Sequence, residues 1–366
     1  MIEDIYVDYG RSRSEALTFS DVQFEPQYFE IENSDSDSRS EISTMSHFKL
    51  FSLPVPIMSA NMSDVTGPEM AKAMYEFGGM GILHRFNEDG AKDYLEAMAI
   101  IVDYVLESGG EVCEDLGRRV GVSIGVQEHD KERLNKLIDA GAKFFCIDIA
   151  HGHCRKMKNM LAHIESLPNR SELVIMAGNV ASYMGAKDLI KWGADIIKVG
   201  VGPGAVCQTR KNTGAGIPQL HALMEAKKAV SEAYREVKIV ADGGLTCSGD
   251  IAKALKFADA VMLGSMLSGT SETPGHVFKN TDDQFYKVYG GSASGERKVG
   301  SGGNNSFVEG VVKTCPFRGK VKFILRDIHQ CLQSSFSYSG ADNLKDFQEG
   351  SALVKISHGG RVESKL

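Results

Sequence analysis

From residue 54 to about residue 270 the chain alternates short, almost wholly apolar runs with longer segments whose apolar residues recur every three or four positions. The short runs are Val55–Met62, Gly79–His84, Val120–Val126, Phe144–Ala150, Leu173–Val180, Ile196–Val201, Ile239–Gly244 and Ala260–Ser265. Their length and β-rich composition predict eight strands. Helices are expected between them at Pro68–Phe77, Ala91–Leu106, Asp130–Ala140, Arg155–Ile164, Ala186–Trp192, Gln219–Ala233 and Gly249–Lys256. Strands that are apolar at nearly every position are covered on both faces. Separation by helices implies parallel pairing through right-handed crossovers. An open doubly wound sheet and a closed TIM (β/α)8 barrel both satisfy that rhythm. The count of eight, over the roughly 200–250 residues such a barrel takes, favours closure. Polar residues and glycines also gather at the C-terminal ends of the strands: Ser59-Ala60-Asn61, His84-Arg85, Asp148, Gly178-Asn179, Gly200–Gly204, Asp242-Gly243-Gly244 and Gly264-Ser265. In a closed barrel those ends converge on one mouth, where the active site lies.

The whole chain, 1–366, is expected to form one catalytic domain with its barrel at about 54–270. Residues 31–46 include the serine- and acid-rich run Ser34–Thr44, expected to be an exposed loop with little structure of its own. A flap is expected at about 290–318, because Gly290 to Gly310 is dense in glycine and long loops of this kind commonly serve as lids. C-terminal helices and a tail follow over 319–366.

At 366 residues and 42% hydrophobic side chains the chain can bury a core of that size. The net charge of −7, without a run of lysine or arginine, argues against a nucleic-acid-binding surface. No apolar stretch reaches the roughly 18 residues of a membrane span, and the N-terminus carries no signal-peptide pattern. Seven scattered cysteines without a C-x-x-C pair fit a reduced compartment and disfavour zinc. A cytoplasmic location is therefore expected. The final Ser364-Lys365-Leu366 would direct the chain to a peroxisome or glycosome in a eukaryotic source.

The chemistry centres on Gly200-Val201-Gly202-Pro203-Gly204-Ala205-Val206-Cys207-Gln208-Thr209-Arg210-Lys211. A thiol in a glycine-shaped loop, with a hydroxyl two residues on and two cations beyond, suits an activated nucleophile. An inert packing cysteine has no need of such a loop. At the seventh strand end, Asp242 can accept from both hydroxyls of a ribose, while Gly243 and Gly244 let backbone amides approach an anion. Gly264 and Ser265 end the eighth strand, and the loops after strands seven and eight are the usual phosphate site of this barrel. Together they suggest a nucleoside monophosphate or a sugar phosphate. Asp148, at a strand end, needs a polar partner. His151 and His153 follow it, with structural and ligand-binding readings equally open.

The cysteine loop, the Asp242-Gly-Gly turn and the run Met262-Leu263-Gly264-Ser265-Met266-Leu267 resemble the inosine monophosphate dehydrogenase and guanosine monophosphate (GMP) reductase family. The resemblance extends from Leu17-Thr18-Phe19-Ser20-Asp21-Val22 to the tail. Dehydrogenases of the family usually carry a paired regulatory (CBS) module between the second and third strands, and their flap an Arg-Tyr pair that activates water. Here neither is found in the sequence, and Thr209-Arg210-Lys211, Ser59-Ala60-Asn61-Met62 and Gly291-Ser292-Ala293-Ser294 are similar to the reductases. The resemblance thus implies an NADPH-dependent reductive deamination of GMP to inosine monophosphate (IMP) through a covalent thioimidate on Cys207, in purine salvage. The alternatives are a CBS-less dehydrogenase oxidising IMP with NAD, and a catalytically silent nucleotide-binding protein.

By the same resemblance, Cys207, Thr209 and Glu309 are the catalytic residues. Ser59, Asp242, Gly243, Gly244, Gly264, Ser265, Tyr289, Gly291, Ser292 and Gly310 would bind the nucleotide. Arg85, Asp148, Ile149, Ala150, Val201 and Gly202 would face the cofactor. Gly202, Gly204, Cys207 and Arg210 would surround a monovalent cation such as potassium, completed by His358-Gly359-Gly360 of a neighbouring subunit in a homotetramer. One departure concerns the phosphate: Ala205 stands where relatives have a serine.

Overall fold

The computed structural model describes residues 15–28, 38–87, 90–112, 116–279, 281, 283–290 and 312–364. Eight parallel strands close on themselves: β1 (Ile57–Ser59), β2 (Met80–Leu83), β3 (Val120–Ile124), β4 (Phe144–Asp148), β5 (Val174–Val180), β6 (Ile196–Val199), β7 (Lys238–Asp242) and β8 (Ala260–Leu263). They neighbour one another in chain order, and β8 returns to pair with β1, Leu263 opposite Ser59. This is the TIM barrel that the alternation predicts. Every strand is shorter than its apolar run. Ser59, Asp148, Gly178 and Asp242 stay in the ladder, whereas His84-Arg85, Gly200–Gly204, Gly243-Gly244 and Gly264-Ser265 leave it and become the loops of the mouth.

The outer layer comprises α1 (Pro68–Phe77), α2 (Gly90–Glu107), α3 (Glu128–Asp139), α4 (Arg155–Glu165), α5 (Tyr183–Lys191), α6 (Gln219–Ser231), α7 (Ser248–Leu255) and α8 (Val321–Tyr338). Helix α1 shows how sequence sets its limits. Pro68 opens it, where a missing N–H costs nothing, and Gly78 closes it in the left-handed region, returning its N–H to the carbonyls of Met74 and Tyr75. The buried side of α8 (Leu325, Ile328, Leu332, Phe336) packs between α7 and α1 and completes the ring. Between β2 and β3 the described chain holds α2 and one 3-10 turn, Leu116–Arg118, and no CBS module.

Additions close the two ends of the barrel. A hairpin, Ser46–Phe48 with Phe51–Leu53, sets Phe51 edge-on against Phe144 at the start of β4, on the side away from the mouth. Phe285–Gly290 pairs with Val312–Pro316 as the root of the expected flap. The tip, with Gly291, Ser292, Glu309 and Gly310, lies outside the described residues. Part of the 31–46 segment corrects the expectation of an unstructured loop. Ser38–Glu41 forms a 3-10 turn, Ile42 and Thr44 are buried, and Gln333 of α8 donates to the carbonyls of Ser40 and Ile42 at 3.0 Å each. Apolar Ile42 and the reach of Gln333 outweigh the polar composition. None of the described helices is long and apolar enough to cross a membrane.

Candidate active site

The barrel mouth opens into a cavity of about 540 Å³. Its floor is organised by Lys198, which points inward from an otherwise apolar strand, Ile196-Ile197-Lys198-Val199, and is only 1% exposed. Its Nζ donates to Asp148 Oδ1 at 2.6 Å and Asp242 Oδ2 at 3.0 Å. Burial opposes the ammonium charge, but the two carboxylates outweigh it and hold the Lys198 pKa well above the ordinary 10.5. Burial likewise opposes ionisation of Asp148; attraction to Lys198, with Arg85 further off, wins and keeps that carboxyl below 3.8. Asn179 Nδ2 donates to Asp242 Oδ2 at 2.8 Å and to the Gly200 carbonyl at 2.7 Å. Gln219 Nε2 ties the Val199 carbonyl at 2.7 Å. Cys146, beneath this layer, is fully buried, and burial pushes its thiol up to about 12.

The rim is made of backbone. Gly200 has φ +150°, and a Cβ there would fall 2.0 Å from the Asp242 carbonyl oxygen, so only glycine lets the β6 and β7 ends approach this closely. Beyond it the loop turns back, with Cys207 N–H donating to the Gly204 carbonyl at 3.0 Å. The half-buried Cys207 thiol donates to Thr209 Oγ1 at 3.2 Å, and Thr209 opens the short helix Thr209–Thr213. Arg210 is exposed and clips the loop by donating to the Ile217 carbonyl. Gly243 is also left-handed, at φ +84°, and its Cα faces the Gly204 backbone. Tyr289, from the hairpin root, is buried with its hydroxyl beside Gly264 and 4.0 Å from Met62 Sδ.

The residues singled out in the sequence therefore converge. Cys207 and Thr209 share the cavity with Asp242, Gly243 and Gly244. Gly264, Ser265 and Tyr289 line it from the β8 side. Arg85, Asp148, Ile149 and Ala150 line it from the loops after β2 and β4, and Val201, Gly202 and Gly204 from the loop after β6. Ser59 and Arg210 are the exceptions among the described residues, and neither lines the cavity. Ser59 is fully buried and shares a 2.8 Å hydrogen bond with Thr66; Ala60 and Met62 line the cavity instead. Side chains alternate along a strand, and Ser59 falls on the face turned away. His153 bonds Asp188 at 2.7 Å, and neither it nor the exposed His151 lines the cavity. Sequence reasoning missed Lys198 and Gln219, and placed Asn179 at the mouth without giving it a role. For Lys198 a signal existed: a lysine inside an apolar strand is almost never buried without a counter-charge.

A closed (β/α)8 barrel with a cysteine loop and glycine turns at one mouth has the architecture of a barrel enzyme, with a pocket at the end where such enzymes hold their active sites. The family model described as IMP dehydrogenase / GMP reductase domain matches residues 16–366, and the chain belongs to that family of oxidoreductases of purine metabolism. It is 40% identical over 266 residues to an inosine-5'-monophosphate dehydrogenase of Aquifex aeolicus, covering 69% of this chain and 53% of that protein. The chain thus spans about half the length of this relative. To a GMP reductase of Serratia proteamaculans it is 36% identical over 352 residues, covering 93% and 95%. The crystal structure of a Trypanosoma brucei GMP reductase in complex with guanosine 5'-monophosphate superposes with a TM-score of 0.84 at 26% identity, covering 99% of both chains.

Proposed function

We propose that this chain is a GMP reductase, converting GMP and NADPH to IMP, ammonia and NADP. The observation that carries the reading is the Cys207–Thr209 pair, 3.2 Å apart in the cavity that also holds Asp242 and the glycine turns. The absence of an Arg-Tyr pair from the 290–310 sequence, and the absence of a CBS module between β2 and β3 of the described chain, favour the reductase over the dehydrogenase.

Asp242 accepts from the ribose hydroxyls, and the amides around Gly243, Gly244, Gly264 and Ser265 take the phosphate. That anchoring sets C2 of the purine against Cys207 Sγ. Sulfur adds to C2, and Thr209 Oγ1, within hydrogen-bond reach, passes the proton toward the departing amine together with Glu309 from the flap. Ammonia leaves, and Cys207 is joined to C2 as a thioimidate. NADPH, when bound, supplies the hydride for C2. Cys207 then departs as thiolate, leaving IMP. The flap root and Tyr289 would keep water from the thioimidate, since hydrolysis would divert the reaction.

The residues present fit the cofactor. Arg85 Nε is buried without a hydrogen-bond partner, beside a cavity wall that continues along Asp148, Ile149 and Ala150. An anionic group of the cofactor would satisfy it. The carbonyls of Gly202, Gly204, Cys207 and Arg210 are an all-oxygen donor set suited to a hard monovalent cation, which would stiffen the cysteine loop. Those of Gly204 and Arg210 each accept one N–H and keep a second lone pair. We include a homotetramer in the proposal, with His358–Gly360 of one protomer serving the loop of its neighbour.

An activity matrix tests the reading: GMP and IMP, each with NADPH, NADH, NAD and NADP, followed by nicotinamide absorbance. NADPH consumption with GMP alone is expected. The 40% identity to a dehydrogenase gives the second reading its weight, and NADH production from IMP would establish it instead.

A further inference from the structure

We propose that Lys198 is a positioning residue coupling the nucleotide subsite to the cofactor subsite, by sharing one ammonium between Asp242 and Asp148. The proposal rests on reading those two carboxylates as nucleotide and cofactor ligands. Its geometry is that of a bridge. Asp148 ends β4 and Asp242 ends β7, and Lys198 reaches both from β6 at 2.6 and 3.0 Å. Asp242 Oδ2 already holds two donors, Lys198 Nζ and Asn179 Nδ2, which leaves Oδ1 for a ligand. Asp148 is held by Lys198 through Oδ1, with Asn61 also beside its carboxylate, and it lines the cavity.

One positive charge serves two negative ones. A hydroxyl donating to Asp242 draws on the same electron density that holds the ammonium, so nucleotide binding leaves more of the Lys198 charge with Asp148. The coupling is reciprocal, as any linkage between binding equilibria must be. The ionisable groups facing Lys198 are Asp148 and Cys146 on β4 and Asp242 on β7, with Arg85 after β2 acting on Asp148. Without the cation, two neighbouring, mostly buried carboxylates would face each other at the floor of the cavity. Both cannot stay ionised there, and the pair holds a shared proton.

The test compares the full-length wild type with Lys198→Met and Lys198→Arg. Affinities for GMP and for IMP are measured calorimetrically without cofactor across roughly pH 5 to 9, so the outcome does not depend on which reaction the enzyme runs. Wild type is expected to show no ionisation of the floor in that range. In Lys198→Met a new ionisation is expected, with nucleotide binding weakening at least about tenfold as pH rises through it, one unit of pKa being a factor of ten. Loss of the shared proton splays the pair. Asp148→Asn in the Lys198→Met background should remove the new ionisation.

Lys198→Arg keeps the charge but moves it, and should raise the Michaelis constants for nucleotide and cofactor together while leaving the pH profile that of wild type, in which only the nucleotide phosphate titrates, at about pH 6. It carries the test if the Met variant does not fold by circular dichroism. A Lys198→Met profile that follows wild type, or an Arg variant that shifts only one Michaelis constant, overturns the coupling. A wild type that binds neither nucleotide overturns the proposed function and this inference together; an activity matrix favouring IMP overturns the first alone.

Discussion

Two buried lysines anchor the two regions that meet at the mouth, and their environments are opposite. Lys198, in the barrel floor, sits between two carboxylates and is held above the ordinary lysine pKa. Lys287, in the flap root, is 2% exposed and donates to the carbonyls of Thr270 and Thr273 and to Thr273 Oγ1, with no ion pair among the described residues. Burial therefore lowers its pKa, against weaker opposing pulls from Glu272 and Cys315. A charge in the floor is matched by charge and fixes the directions of groups that meet ligands. Its counterpart in the root is matched by dipoles and ties the loop after β8 to the hairpin. Floor and root thus differ in what they hold still: side-chain acceptors in one, backbone in the other.

The largest effect separates the chemistry on the rim from both anchors. Cys207→Ala should lower turnover by roughly 10⁴-fold or more, the scale for loss of a nucleophile, while nucleotide affinity by calorimetry stays within about threefold. Near-normal turnover would sink the covalent route. Asp242→Asn acts on the floor. It removes a charged acceptor and leaves Lys198 to Asp148 alone, so nucleotide binding should weaken by about 1.5–3 kcal/mol, or roughly 10–100-fold. An unchanged affinity would show that Asp242 serves the fold and not the ligand.

The root is tested by stability. Lys287→Met leaves buried carbonyls without a donor, and denaturant unfolding should show a loss of about 1–3 kcal/mol at neutral pH. The sign of the alkaline response then distinguishes the two lysines. Lys287 has a folded pKa below 10.5, so between those two values the unfolded chain binds more protons, and wild type gains stability over Lys287→Met as pH rises through that window. Lys198 has a folded pKa above 10.5, so its contribution is complete below 10.5 and is lost as pH climbs toward the folded value. Parallel difference curves for the two methionine variants would erase the distinction between floor and root.

Much of the barrel was legible because strands covered on both faces are apolar at nearly every position, as β8 (Ala260–Leu263) is throughout and β4 (Phe144–Asp148) is up to its terminal Asp148. Their ends were not. Ala60 and Met62 continue the apolar run in composition but leave the ladder, since direction is decided by contacts with neighbouring loops. Cys207, Asp242 and Gly264 were legible for the opposite reason: each breaks the pattern where a strand stops. Ser59 shows the limit of that rule, because a polar residue at a strand end can face a buried threonine as readily as the cavity. Lys198 was hidden in a different way. Its partners lie 50 and 44 residues away in the chain, and only closure of the barrel brings them to it. The packing of Ile42 and Thr44 against the barrel was masked by serines and acids around them.

Ala205 offers the smallest and sharpest probe of the rim. It is exposed on the cysteine loop, lines the cavity, and stands where the family resemblance read from the sequence leads one to expect serine. A hydroxyl added there has room, because the alanine side chain already faces solvent, and the loop keeps its glycines and its Cys207–Gly204 hydrogen bond. If the phosphate rests among the amides of this loop and of Gly243 and Gly264, Ala205→Ser adds one donor to it. The gain should be about 0.5–1.5 kcal/mol, seen as roughly two- to tenfold tighter binding of GMP. The matching nucleoside, which has no phosphate, should bind the two forms equally. The nucleoside comparison makes the result specific: tightening of both ligands would mean that the serine reshapes the loop, whereas tightening of the phosphorylated one alone locates the anion at the rim, above a floor whose charges are already spoken for by Lys198.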